Sequence, residues 1–212
     1  MTGMITRSCV AAVAIGLIGG SVVDCGETIP EPERRGEFVV LRGDFHTHTR
    51  LGDGFLSPIE IVLAARREGL HVLGVTEHNT VYPSFIARWV SERFGGPIVL
   101  TGAEITNRRF HILALGITED VDWRLSADAM VKAIHAQGGV AIIAHPARKY
   151  WGHLGSAITT LDGAEVMHPV AFRGETPNRW RWVDFAAFWE RARAAGNPMA
   201  AIGNSDFHVF KS

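Results

Sequence analysis

Six apolar stretches of this chain end on, or in one case begin with, groups that bind metal ions. The first runs into Asp44-Phe45-His46-Thr47-His48-Thr49, with Asp53 close behind, and the second into Thr76-Glu77-His78-Asn79. Gly102-Ala103-Glu104 follows the third, His111 opens the fourth, Ala144-His145-Pro146 closes the fifth, and Gly203-Asn204-Ser205-Asp206-Phe207-His208 follows the last. Two histidines two apart on an extended strand project to the same side, so both reach one ion. A lone His-x-His is a weak signal. Six strand ends carrying such groups are not, because burying them together costs several kcal/mol each without a counter-charge. Divalent cations supply that charge.

The frame that must position these groups alternates strands with helices. Strands are expected over Phe38–Phe45, His71–Thr76, Pro97–Gly102, Phe110–Gly116, Val140–Ala144, Gly163–Met167 and Met199–Ile202. Helices are expected over Pro58–Glu68, introduced by Ser57-Pro58, over Ser84–Phe94 before Gly95-Gly96, over Ala127–Gln137 before Gly138-Gly139, and over Trp182–Ala195. Short strands alternating with helices of this length indicate parallel βαβ units, in an open doubly wound sheet or a barrel. In α/β barrels the carboxyl ends of the strands form the active-site rim, so the groups converge in space.

The order His-x-His-Thr, Thr-Glu-His-Asn, Gly-x-Glu, a strand-borne His, Ala-His-Pro and Gly-x-Ser-Asp-x-His resembles the PHP family, the polymerase and histidinol phosphatase domain. The resemblance runs from Gly43 to His208. It implies a distorted (β/α)7 TIM-like barrel, two or three divalent ions (manganese, iron or zinc), and hydrolysis of phosphate esters. Carried over position by position, it implies His46, His48, Asp53, His78, Glu104, His111, His145, Asp206 and His208 as metal ligands, with Glu104 as the bridging carboxylate. Two departures stand out. Glu77 occupies a position that is usually aspartate. The chain also stops four residues after His208, so by this strand reading the barrel lacks its last β/α unit and leaves edges exposed.

The chemistry this implies is metal-assisted hydrolysis, in which paired ions activate a water and clamp the phosphoryl oxygens. No serine or cysteine motif offers a separate nucleophile. His145 or a water is the candidate proton source for the leaving group, and Glu77 and Asn79 are candidates for fixing imidazole orientation. Arg148 and Lys149, directly after Ala-His-Pro, are candidate substrate contacts for a second phosphate or a carboxylate, with Arg173 a weaker one. His71, His135 and His153 read as structural or surface residues. His168 follows a strand end and has some claim to the pocket, and Glu165 lies within a strand of undetermined facing. Trp180, Trp182, Phe185, Phe188 and Trp189 are spaced for core packing on a helix face.

Composition narrows the field from outside. The 212 residues are 47% hydrophobic and 20% charged, which excludes disorder, collagen and coiled coil. A formal charge of −1 argues against a broad nucleic-acid surface and leaves room for a small anionic ligand; the partner that the resemblance implies is a small phosphorylated substrate. Ten histidines against two cysteines exclude a disulfide scaffold or a cysteine-rich zinc module. Arg7 followed by the uncharged stretch Cys9–Val23 fits a secretory signal core better than a bilayer span, which needs about 20 residues. Residues 1–26 are therefore expected to be a signal peptide or anchor that directs export, with a possible membrane tether. Residues 27–37 are expected to be a linker and residues 38–212 the catalytic domain. Two other readings stay open: a metal-dependent amidohydrolase, and an exported protein that binds metal without catalysis.

Overall fold

The computed structural model describes residues 28–169 and 181–208. The stretch Cys9–Val23, Cys25, Arg173 and Trp180 lie outside them, and among the described residues no helix is long and apolar enough to cross a membrane. An antiparallel hairpin comes first, β1 (Glu33–Arg35) with β2 (Phe38–Val40). Gly36 turns it at a φ of +63°, a conformation that suits glycine. The strand expected over Phe38–Phe45 is thus two pieces, since pairing in the main sheet begins only at β3 (Gly43–Asp44).

Seven strands then lie side by side in chain order: β3, β4 (Val72–Val75), β5 (Ile98–Thr106), β6 (His111–Leu115), β7 (Val140–Ile143), β8 (Gly163–Met167) and β9 (Ala200–Gly203). Most neighbours are parallel, as the alternation with helices indicates. β6 departs from that pattern and runs antiparallel to both β5 and β7. The reason is length: only residues 107–110 separate β5 from β6, whereas a parallel crossover needs a dozen or more residues. The reversal matters, because it brings the start of β6, with His111, to the same end of the sheet as the carboxyl end of β5, with Glu104.

The sheet curls into a nearly closed barrel. Thr47, just after β3, pairs in parallel with Phe207, just after β9. The His48 N–H donates to the Phe207 carbonyl at 2.9 Å, and the Phe207 N–H donates to the His46 carbonyl at 3.3 Å. The seam between first and last strand is therefore stitched at the carboxyl end, by the same segments that carry candidate ligands.

Helices α1 (Pro58–Arg67), α2 (Tyr82–Phe94), α3 (Ala127–Ala136), α4 (Arg148–Trp151) and α5 (Trp182–Ala194) cover the sheet. α1 starts on a full capping box: the Ser57 hydroxyl accepts from the Glu60 N–H at 3.2 Å, and the Glu60 carboxylate accepts from the Ser57 N–H at 2.8 Å. Ser57→Ala is expected to lower stability by about 1 kcal/mol, read as a shift in the urea midpoint. Ile105, Ile112 and Ile143 of the sheet pack with Met130 and Ile134 of α3 and with Phe185 and Phe188 of α5. Both phenylalanines are completely buried, so this segment packs the core as its spacing indicated. A smaller apolar group, Leu113, Leu115, Ile142 and Ala144 with Phe45, Leu100 and Ile202, forms a separate cluster contributed by four strands and the Phe45 segment.

Candidate metal centre

All nine ligand candidates come together at the carboxyl end of the barrel. His46 and His48 follow β3, His78 follows β4, Glu104 is near the end of β5, and His111 opens β6. His145 follows β7, while Asp206 and His208 follow β9. The backbone bends sharply to deliver some of them. Among the described residues the non-glycine positions with positive φ are Asn79 (58°), His145 (29°) and Asp206 (48°), and all three belong to this site. Each such residue costs about 1–3 kcal/mol, a strain that persists where the surroundings impose it.

Three carboxylates organise the imidazoles. Glu104, almost wholly buried, sets Oε1 2.8 Å from His111 Nδ1 and 3.1 Å from His145 Nε2. Its Oε2 lies 2.8 Å from His78 Nδ1, 3.5 Å from His46 Nε2 and 3.6 Å from His48 Nε2. Asp206 Oδ1 lies 3.1 Å from His46 Nε2 and 3.2 Å from His48 Nε2. Asp53, half exposed in the loop after His48, lies 3.4 Å from His48, 3.3 Å from His78 and 3.2 Å from His208. Donor atoms within 4.8 Å of one another form sets suited to a divalent ion: His48, Asp53, His78 and His208; His46, His48 and Glu104; Glu104, His111 and His145.

The electrostatics follow from packing so many charges together. Burial alone would lower the pKa of His46, but Glu165, Glu104 and Asp206 outweigh it and hold the imidazole well above its usual value. His48 is likewise opposed by burial and raised by Asp206, Asp53 and Glu77 to about 10. Burial pushes Glu104 upward, and His46, His111 and His145 pull it well below the carboxylate range. Asp206 is lowered in the same way, with His168 its leading partner. Burial lowers His145, keeping it neutral and thus able to coordinate. Raised His46, His48 and His78 thus face lowered Glu104, Asp206 and Asp53, and a divalent ion would displace the protons.

Around this cluster sit residues that aim it. Glu77 accepts from both the backbone N–H and the hydroxyl of Thr49, and its Oε2 faces His48 Nδ1 at 3.6 Å. Among the described residues those two buried atoms have no hydrogen-bond partner, an arrangement that fits groups waiting on a shared cation. Gly52 is confined beside this carboxylate, because a Cβ there would collide with Glu77 Oε2. Asn79 accepts from the Thr106 N–H at 2.8 Å and donates to its carbonyl at 3.2 Å, while the Thr106 hydroxyl meets His78 Nδ1 at 2.8 Å. Asn79 thus steadies His78 through Thr106.

Two residues given little weight from the sequence belong here. Glu165 is completely buried. Its Oε1 takes His46 Nδ1 at 2.9 Å and the Asn204 amide at 2.8 Å, and its Oε2 takes the His145 N–H at 2.7 Å. His168, equally buried, lies with Nε2 3.2 Å from Asp206 Oδ2. The available signal was an acidic residue inside the otherwise apolar strand Gly-Ala-Glu-Val-Met, since a buried carboxylate needs a partner. Arg148 is engaged elsewhere, 3.3 Å from Asp184 and over the Trp151 ring. Lys149 sits over the Tyr150 ring at 4.6 Å, and that ring stacks on His111. His71 is structural: its Nδ1 accepts from the Arg42 N–H and its Nε2 donates to the Pro30 carbonyl, tying the leading segment to the barrel. His135 pairs with Asp162 on the surface, and His153 is exposed.

A cavity of about 240 Å³ opens onto Glu104, Asp206 and the imidazoles of His78, His111, His145, His168 and His208. It is smaller than the usual 300–1,000 Å³ of drug-sized sites.

No family model matches the chain. Solved structures with the same fold include a two-domain protein of Bacteroides vulgatus containing a predicted PHP-like metal-dependent phosphoesterase. It has a TM-score of 0.61 and 21% identity, with 79% of this chain matched to 52% of that one. A protein of Bifidobacterium adolescentis, assigned by prediction as a metal-dependent phosphoesterase, has a TM-score of 0.58 at 20% identity over 79% and 88% of the two chains. An amidohydrolase of Chromobacterium violaceum, solved with sulfate and no metal, has a TM-score of 0.59 at 20% identity over 79% and 87%. Together they place the barrel among PHP-like and amidohydrolase-like TIM barrels. In sequence, 76 residues are 34% identical to a 5'-3' exoribonuclease of Haemophilus influenzae, covering 34% of this chain and 27% of that protein. A further 30% identity over 141 residues, 60% of this chain and 82% of the other, links it to the uncharacterized protein MJ1587 of Methanocaldococcus jannaschii. The chain belongs to the same family as MJ1587.

Proposed function

We propose that this protein is a PHP-type, metal-dependent phosphoesterase acting on a small phosphomonoester or nucleotide. The observation that carries the reading is Glu104, a buried carboxylate whose two oxygens face two different groups of imidazoles. That is the geometry of a bridge between neighbouring ions. His46, His48, Glu104 and Asp206 would hold one ion, Glu104, His111 and His145 a second, and Asp53, His78 and His208 a third. Imidazoles mixed with carboxylates suit manganese, iron or zinc better than calcium. Such ions would supply an activated water and charge to neutralise the phosphoryl oxygens.

The chain's own residues do the rest. Glu165 holds His46 with Nε2 inward, Glu77 faces His48, and Asn79 steadies His78 through Thr106. His145, neutral at the cavity wall, would serve as a ligand, and a water in the cavity would supply the proton to the departing alcohol. Lys149, one aromatic ring away from His111, is the better placed of the two rim cations to meet a substrate carboxylate or second phosphate.

The test is phosphate release from a panel of phosphomonoesters and nucleotides, run beside an amide panel. Turnover should vanish after chelation, return with manganese, and be absent from the double variant His46→Ala, His48→Ala. Release that survives exhaustive chelation would overturn the reading. Metal-dependent turnover on the amide panel alone would favour the amidohydrolase reading, although among the described residues no lysine lines the cavity. Metal binding with no turnover on either panel would leave a non-catalytic metal protein.

A further inference from the structure

We infer that His168 is a metal ligand in its own right, adding its imidazole to one of the ions that His46 and His145 would hold. The inference rests on the metal reading proposed above and adds a position outside the nine that the sequence motifs supply. One ring nitrogen of each of the three residues lies within 4.8 Å of the others, and all three side chains are buried. The His145 and His168 rings meet edge to face at 5.2 Å between centroids, and the His46 and His168 rings at 6.1 Å. Asp206 Oδ2 lies 3.2 Å from His168 Nε2, while Oδ1 of the same carboxylate faces His46 and His48. One carboxylate therefore reaches two groups of imidazoles, as Glu104 does.

This corner of the site offers three ring nitrogens, with the Asp206 carboxylate beside one of them. Such a set selects zinc, iron or cobalt over magnesium and calcium, which prefer oxygen donors. The backbone explains why His168 reaches the corner. It lies one residue beyond β8, three after Glu165, and Glu165 anchors both His46 and the turn into His145. The strand that orients two of the imidazoles thereby delivers the third.

The rival role is a prop: His168 could donate a hydrogen bond to Asp206 and touch no ion. His168→Gln separates the two, because glutamine keeps an N–H donor for Asp206 and removes the imidazole. The full chain is labelled with ¹⁵N-histidine and loaded with ¹¹³Cd²⁺ alone. The His168 resonances are identified by their disappearance in the variant. The expected result is cadmium splitting of a His168 ring nitrogen in the wild type. His168→Gln should also weaken one class of cadmium site by at least about 100-fold, the upper end of what losing an outer orienting partner costs. Cadmium splitting of other imidazoles with none on His168, and unchanged affinity in His168→Gln, would make His168 a prop and overturn the inference while the metal reading stands. An absence of cadmium splitting on every imidazole would overturn both.

Discussion

Glu104→Gln is expected to lower metal-dependent phosphate release by about 10³-fold, with the barrel still folded. The substitution keeps volume and shape but replaces one oxygen with an amide nitrogen that cannot coordinate. Both oxygens are committed in this site, Oε1 toward His111 and His145 and Oε2 toward His78 and His46. If Glu104 bridges two ions as proposed, that bridge cannot be half retained. Metal ions contribute several kcal/mol of charge stabilisation in the transition state, and each ~1.4 kcal/mol is tenfold in rate. Losing the element that joins two ions accordingly costs about three orders of magnitude. Initial rates with saturating manganese, beside a circular-dichroism melt, check it. A folded Glu104→Gln protein within tenfold of wild type would remove Glu104 from the bridging position.

Glu165→Ala is expected to destabilise the metal-free protein by about 3–5 kcal/mol, the usual cost of deleting one partner of a buried ion pair. For a domain of this size that is a fall of roughly 6–20 °C in Tm. Alanine leaves the His46 imidazolium, the His145 N–H and the Asn204 amide without their shared acceptor. Glu165→Gln, which keeps an acceptor oxygen, should recover part of the loss. The effect carries a pH signature. Burial raises Glu165, but His46 and its neighbours outweigh that and hold it near 2, against an ordinary 4.5. A depressed carboxylate stabilises the fold fully above its unfolded pKa, and the contribution is lost as pH falls through the folded one. The gap between wild type and Glu165→Ala should be widest at neutral pH and should narrow from about pH 4.5 downward. A gap that does not change between pH 7 and pH 3 would show that Glu165 is not ionised in the fold.

Much of this cluster of His, Asp and Glu side chains was legible in the sequence because most of them stand near strand ends, and strand ends are marked by the boundary of an apolar run. His46, His48, His78, Glu104, His145, Asp206 and His208 all stand at such boundaries. The reversed strand β6 was harder to read. Its apolar run looks like that of a parallel strand, and only the four-residue link from Thr106 to His111 reveals the hairpin. Glu165 escaped for a different reason: a strand residue faces the interior or the helices according to register, and register depends on partners far away in the chain. The departure at Glu77 is accommodated by Thr49, which binds the longer carboxylate through both backbone and hydroxyl.

The stitched seam has a kinetic consequence. The segments bearing His46 and His48 on one side and Asp206 and His208 on the other are joined by the Thr47–Phe207 pairing. Parting them would withdraw donors from both sides of an ion held between them. Bound ions would in turn favour the joined state by mass action. Ion and clasp would hold each other shut, so added metal should slow local opening of this seam, read as amide exchange at His48 and Phe207.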